Sequence, residues 1–250
     1  MKKIITAFLK RNGYNITKSV GDFKIGDFYY STPVTTANYA PWYADEEFLR
    51  AYKEIKGFTL VDIYKCYELW QLTEQVIWLD DTVSFLEVGV WRGGTASIIA
   101  KKISLLHAKS KLYLADTFSG VAGASEKDNY YVGGEHSDTS QELVEDFLKQ
   151  KVGQCNYTIL KGIFPEETGD RISTSEIFGF CHIDVDVYLS AKEIIEWVFG
   201  KLIIGGVIVF DDYGFHTCAG VTRLVEEQRK MQDRLIVHNL NGHAIMIKIK

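Results

Sequence analysis

Hydrophobic and polar positions change their rhythm once along this chain, near residue 80. Before that point, clean two-residue alternation is scarce. Asn38-Tyr39-Ala40-Pro41-Trp42-Tyr43-Ala44-Asp45 reads as a turn entering a helix, with Asp45 or a neighbour as its cap. Between Thr59 and Trp78 the positions Leu60, Ile63, Tyr64, Tyr67, Leu69, Trp70, Leu72 and Ile77 recur mostly at three or four, which predicts an amphipathic helix. From residue 83 short apolar runs alternate with helical patterns. Strands are predicted at 83–88, 111–115, 157–160, 179–183 and 207–210. Helices are predicted at 95–108, 141–151, 191–199 and 220–232, with a short one after Pro165. Two last strand-like runs, 235–238 and 243–248, flank the turn Asn239-Leu240-Asn241-Gly242.

This alternation predicts an α/β fold, a doubly wound and mostly parallel sheet with helices on both faces. The change of rhythm divides the chain into an N-terminal segment, 1–80, and a sheet domain, 81–250. Such sheets bind ligands beyond the carboxyl ends of their strands, so the residues just after each strand are the ones to read for chemistry.

The first strand is followed by Glu87-Val88-Gly89-Val90-Trp91-Arg92-Gly93-Gly94-Thr95. Its glycines permit a tight turn and close approach of a ligand to the backbone, and the next helix offers free N–H groups. The spacing is neither G-x-G-x-x-G nor a Walker A loop, so it supports a dinucleotide only weakly. Glu87 would repel a phosphate and tolerate a cationic ligand. The second strand is followed by Asp116-Thr117-Phe118-Ser119-Gly120, which places a carboxylate to accept both ribose hydroxyls and Phe118 to lie against a purine. Together the two loops indicate a ligand containing a nucleoside.

Carboxylates gather after the later strands, in His182-Ile183-Asp184-Val185-Asp186-Val187-Tyr188 and in Asp211-Asp212-Tyr213. Adjacent carboxylates at a sheet mouth repel each other unless a cation neutralises them. Oxygen donors without a cysteine cluster suit Mg²⁺ or Mn²⁺, so Asp184, Asp211 and Asp212 are candidate metal ligands. Asp80-Asp81, at a helix end before a strand, reads instead as a solvated turn. His182 lies in an apolar strand and reads as a core residue. His136 falls in the polar stretch 122–140, long enough for a lid. His216 and His243 can reach the sheet mouth and are candidate bases.

Composition narrows the class of protein. Of 250 residues 46% are hydrophobic, enough for a full core and incompatible with intrinsic disorder. Twenty-eight Lys plus Arg against 33 Asp plus Glu give a net charge of −5, which argues against a nucleic-acid partner. Cys66, Cys155, Cys181 and Cys218 are scattered and form neither a disulfide framework nor a zinc site. The run from Ile4 to Leu9 is too short for a signal sequence and no stretch suits a membrane span, so the expected location is cytoplasmic. Aromatic residues make up 13% of the chain and crowd its first third. Tyr29, Tyr30, Tyr39, Trp42 and Tyr43 each offer large area with a polar handle, for packing over the sheet, across a subunit interface or against a ligand.

The loops together resemble those of the macrocin-type (TylF/MycF) sugar O-methyltransferases, a family of class I S-adenosylmethionine-dependent enzymes. The resemblance covers roughly residues 59–250 and rests on Glu87-Val-Gly-Val-Trp-Arg-Gly-Gly94, Asp116-Thr-Phe-Ser-Gly120, Lys161-Gly-Ile-Phe164, Asp184-Val-Asp-Val-Tyr-Leu-Ser190, Gly205-Gly206 and Asp211-Asp-Tyr213. It implies a seven-stranded Rossmann-like sheet with one antiparallel strand, S-adenosylmethionine as donor, a divalent metal, and a homo-oligomer. By the same resemblance Glu87, Gly89, Trp91, Arg92 and Gly93 would surround the methionine part of the donor. Asp116 would hold its ribose; Thr117, Phe118 and Ser119 would border its adenine, with Gly162 or Phe164 closing that side. Asp184, Asp211 and Asp212 match the family's metal positions, and Asp184, His216 and His243 are the candidates for the base. Relatives often have Gly where Val185 stands, and 214–218 and the Asn239–His243 turn are not general family features. The expected activity is methyl transfer to a sugar hydroxyl with the metal chelating the acceptor diol. A metal-dependent catechol methyltransferase and a Rossmann-type NAD(P) oxidoreductase are the alternatives.

Overall fold

In the computed structural model, which describes residues 2–12, 14, 21–33, 37–153 and 155–250, the apolar runs after residue 83 form one seven-stranded sheet. The chain divides into two compact units, Met1–Ala37 and Asn38–Lys250. The first holds α1 (Lys2–Arg11) and a hairpin of β1 (Phe23–Ile25) and β2 (Phe28–Tyr30), in which the Phe23 and Tyr30 rings stack at 5.5 Å. Strands of three residues are too short to display alternation, which is why the sequence pattern does not announce them.

The second unit opens with α2 (Glu46–Glu54) and α3 (Ile63–Leu79). Strands and helices then alternate: β3 (Ser84–Val88), α4 (Gly94–Leu105), β4 (Leu112–Asp116), α5 (Gln141–Lys151), β5 (Tyr157–Lys161), β6 (Phe178–Ile183), α6 (Tyr188–Val198), β7 (Leu202–Phe210) and α7 (Ala219–Gln228). The antiparallel pair β8 (Arg234–His238) and β9 (Ala244–Lys248) closes the chain. The strand order is β5-β4-β3-β6-β7-β9-β8, and β9 alone runs against its neighbours. The order reverses between β3 and β6, so the crevice of a doubly wound sheet opens beyond those two strands.

Alternate residues of the buried strands feed two apolar layers. Phe85, Phe180 and Val209 pack against α2, α3 and α4, represented by Phe48, Trp70 and Ile99. Leu86, Cys181 and Ile208 pack against α6 and α7 through Ile194, Ile195 and Leu224. Because Phe48 and Trp70 are fully buried with the sheet, the boundary drawn at residue 80 falls inside the second unit, and part of the aromatic excess is core. Trp42 is half-buried, edge-on to Tyr64 at 5.1 Å, whereas Tyr39 and Tyr43 are exposed.

Caps set the helix boundaries. Asp45 accepts from Phe48 N and from Trp70 Nε1, Asp62 from Tyr64 N and Lys65 N, and Ser140 from Leu143 N. Asp62 therefore starts α3 at Ile63, and 59–61 precede the helix as irregular chain, with Val61 N donating to Thr59 Oγ1. The first turn of α6 has no local side-chain cap; Tyr188 N donates instead to Asp128 Oδ1, at 2.9 Å, from the long polar segment. The stretch after Pro165 forms turns and a single 3₁₀ turn, Gly169–Arg171. Among the described residues no helix is long and apolar enough to cross a membrane.

Candidate active site

Beyond the carboxyl ends of β3 and β6 lies a cavity of about 310 Å³. Gly89 leaves β3 with φ +91°, and a Cβ there would stand 1.7 Å from the Asp184 carbonyl oxygen. Only glycine lets the two strand exits touch. Asp116, the last residue of β4, braces the glycine turn: Oδ2 accepts from Val90 N (2.7 Å) and Trp91 N (2.8 Å), and Oδ1 from Phe118 N (2.6 Å). Those bonds hold Trp91 (φ +47°) and Phe118 (φ +52°) in the left-handed region, at a strain of about 1–3 kcal/mol each. Burial pushes the Asp116 carboxyl up, against the pull of its three backbone donors.

The polar segment 117–140 contributes part of the cavity wall. Asp138 ties it to the glycine turn by accepting from Trp91 Nε1 (2.8 Å) and Arg92 Nη2 (2.6 Å), and Thr139 donates to the Trp91 carbonyl. Tyr131 and His136 of this segment line the cavity.

Adjoining this turn through Asp184 is a corner of carboxylates. Single oxygens of Asp184, Asp211 and Asp212 all lie within 4.8 Å of one another. Burial, and then the neighbouring carboxylates, push Asp184 and Asp212 well above the usual range. Asp211 goes the other way: burial opposes its charge, but the Lys65 ammonium, His182 and His243 hold it well below. Lys65 Nζ is 2.5 Å from Asp211 Oδ2, and His243 Nε2 is 2.9 Å from Oδ1. His182 Nε2 lies 3.5 Å from the same oxygen, and its Nδ1 is 2.9 Å from Glu87 Oε1. Burial disfavours its charge, yet bonding to Asp211 and Glu87 lifts His182 to about 10.

The residues singled out by sequence separate into two groups. Gly89, Trp91, Asp116 and Thr117 line the cavity on one side, Gly162 and Phe164 on another, and Asp184, Asp211 and Asp212 on a third. Glu87 does not: it pairs with His182 across β3 and β6, and strand alternation turns both side chains toward the α3 face. Arg92 is drawn out to Asp138, and Gly93 faces Val144 and Phe147. The Phe118 ring packs against the core, while Ser119 is exposed. His216 is exposed on the loop after β7 and is not among the lining residues. His243 is fully buried behind Asp211, not beside the cavity. Within the second unit, Tyr39, Trp42 and Tyr43 do not line it either.

Glycine turn, strand-end carboxylate and acidic corner share one cavity, and comparison with known proteins assigns the chain to a family. The family profile described as macrocin O-methyltransferase (TylF) matches residues 50–245. The chain belongs to this family. It is an O-methyltransferase, which sets aside the oxidoreductase alternative. The chain is similar to demethyldecarbamoylnovobiocin O-methyltransferase of Streptomyces niveus, 26% identical over 196 residues that cover 74% of this chain and 73% of the relative. Its fold is similar to that of the O-methyltransferase NovP (TM-score 0.65, 22% identity, 77% of this chain and 83% of that one). It is also similar in fold to the calicheamicin methyltransferase CalS11 (TM-score 0.58, 15% identity, 84% and 94%). The seven-stranded sheet with one reversed strand is the class I methyltransferase fold.

In this methyltransferase the donor set of the corner fits a hard divalent cation: three oxygen donors close together, two of them pushed up by burial and then by neighbouring carboxylates whose repulsion a cation would relieve. The structure adds residues that the loop reading passed over. Asp186 lines the cavity with φ +65°, its N–H donating to Asp212 Oδ2 (2.9 Å) and its carboxylate facing Cys218 Sγ (3.7 Å) and the Tyr131 hydroxyl. Its place in Asp184-Val-Asp-Val-Tyr188, two beyond a candidate ligand, was the available signal. Lys65 had none, being one lysine on an amphipathic helix.

Proposed function

We propose that this O-methyltransferase carries the methyl group of S-adenosylmethionine to a sugar hydroxyl, on a nucleotide-linked or glycosidic sugar, at a site that also takes a divalent cation. The reading rests on one juxtaposition: a glycine turn braced by Asp116 and a three-carboxylate corner share a cavity, in contact where Gly89 meets Asp184. A sugar acceptor is supported by CalS11, described as a TDP-rhamnose 3'-O-methyltransferase, and by the similarity to the novobiocin enzyme. Asp184, Asp211 and Asp212 would hold the cation.

When bound, the sulfonium supplies an activated methyl group and the cation supplies Lewis-acid and template chemistry to a hydroxyl. The rest falls to the chain. The cavity walls fix the two reactants relative to each other, an alignment worth roughly 7–11 kcal/mol in favourable cases. Asp116 Oδ1 accepts a single backbone bond and retains a lone pair for a ribose hydroxyl. Segment 117–140, pinned by Asp138, excludes water from the donor side. Asp186 takes the acceptor's proton: burial raises its carboxyl, so it binds a proton more readily than an exposed aspartate.

The test is a panel of nucleotide sugars, free sugars and catechols incubated with labelled S-adenosylmethionine, with and without EDTA, and read by mass spectrometry. The expected result is methylation of a nucleotide sugar or glycoside, lost with EDTA and restored by Mg²⁺. Methylation of catechols alone, or turnover indifferent to chelation, would overturn the reading.

A further inference from the structure

Asp211 is aimed by residues far from its own loop. Its Oδ1 receives His243 Nε2 at 2.9 Å, and the other ring nitrogen, Nδ1, is 2.5 Å from Glu68 Oε2. The second oxygen of Glu68 accepts from Asn239 Nδ2. Glu68 sits on α3 three residues after Lys65, so a single helix face meets both the carboxylate corner and the turn between β8 and β9. His243 is fully buried, engaged at both nitrogens, and absent from the cavity wall. A histidine so placed has no path to an acceptor hydroxyl.

Stability alone does not account for this arrangement. A buried ionic network costs about as much in lost hydration as it returns, and apolar side chains of similar volume would serve a fold equally well. An aspartate at a strand end also has two side-chain torsions that its backbone leaves free. Asp211 is held in one orientation only because side chains hold it.

We infer that Glu68 and His243 are positioning residues: Glu68 fixes the His243 ring, and the ring aims Asp211 at the point it shares with Asp184 and Asp212, where a divalent cation is bound. This rests on the cation reading proposed above. Partners behind metal ligands typically change affinity by about 10–100-fold although the ligand itself remains. Lys65 is outside the assignment, because its charge opposes a cation rather than aiming a ligand.

Mn²⁺ binding to the full chain, followed by electron paramagnetic resonance without donor or acceptor, reads the effect apart from turnover. Glu68→Met removes the acceptor while keeping length and helix propensity, at a side chain that is 17% exposed. The Mn²⁺ dissociation constant should rise about tenfold or more in Glu68→Met. In Glu68→Gln, which returns an acceptor to Nδ1–H, it should recover to within about threefold of the unaltered protein. His243→Phe should match Glu68→Met, and the double variant should be no worse than either single, since both act along one path. S-adenosylhomocysteine affinity, unchanged throughout, reports that the variants are folded. Equal Mn²⁺ affinity in Glu68→Met and the unaltered protein overturns the inference and leaves the cation reading standing. Absence of recovery in Glu68→Gln assigns the loss to charge rather than aim and overturns it too. If the unaltered protein takes up no Mn²⁺, the cation reading falls and this inference with it.

Discussion

Asp116 and Asp211 occupy matching places, one ending β4 and the other directly following β7, yet the chain holds them by opposite means. Asp116 is gripped by backbone: three N–H groups, all from residues within 26 positions of it. Asp211 is gripped by side chains, from Lys65 at 146 positions' distance and from His243 at 32. A backbone grip is local and insensitive to the identity of the donors, so it fixes a shape. A side-chain grip can be changed one residue at a time, so it sets a charge. Burial wins at Asp116 and its carboxyl is pushed up; the cations win at Asp211 and its carboxyl is pulled down. The glycine-turn side of the cavity is thus an architectural site, and the acidic corner an electrostatic one.

Two substitutions separate the two sides and a third, remote from both, serves as their control, in falling order of effect. Asp211→Ala should lower kcat by about 10²–10³-fold, the range seen when a transition-state charge stabiliser is lost, with S-adenosylhomocysteine affinity unchanged by calorimetry. Asp116→Ala should do the reverse. It strands three backbone donors that hold two left-handed residues, so it should cost about 1–3 kcal/mol of stability in urea unfolding and weaken S-adenosylhomocysteine, with less effect on kcat at saturating donor. Should both variants lose donor affinity alike, the division into two sides is broken. Asp128→Ala touches neither carboxylate. It removes the remote cap of α6, worth about 1 kcal/mol, and should lower Tm by about 2–4 °C.

The same contrast explains what the sequence makes legible. β3, β4 and β6 are buried on both faces and therefore appear as near-continuous apolar runs, readable within a residue or two, whereas β7 is read only over its buried half, 207–210, and begins five residues earlier, at Leu202. α5 is read residue for residue because Ser140 caps it and its apolar face is regular. Gly89 and Asp116 sit at the exits of the first two buried strands, β3 and β4, so their place after a recognisable apolar run carries them. Glu87 misleads because its loop suggests a cavity residue, while strand alternation buries it against His182. His243 misleads in the same way, since the turn after β8 delivers it behind Asp211. Lys65 and Glu68 are not legible at all: what gives them meaning is the approach of α3 to the end of β7, which no local pattern records. The three-residue strands of the β1–β2 hairpin are too short to rise above their surroundings.

The bond from Glu68 to His243 spans 175 positions of a 250-residue chain. As the chain emerges from the ribosome, the glycine turn and its brace can settle once β4 is out, whereas the acidic corner waits for the strand that follows His243. Nascent chains, and chains clipped in the turn between β8 and β9, would then hold a finished donor pocket beside an unaimed aspartate. Such species would retain cofactor on an affinity column and contribute nothing to turnover, so titration with S-adenosylhomocysteine would overcount the active enzyme in any preparation containing them.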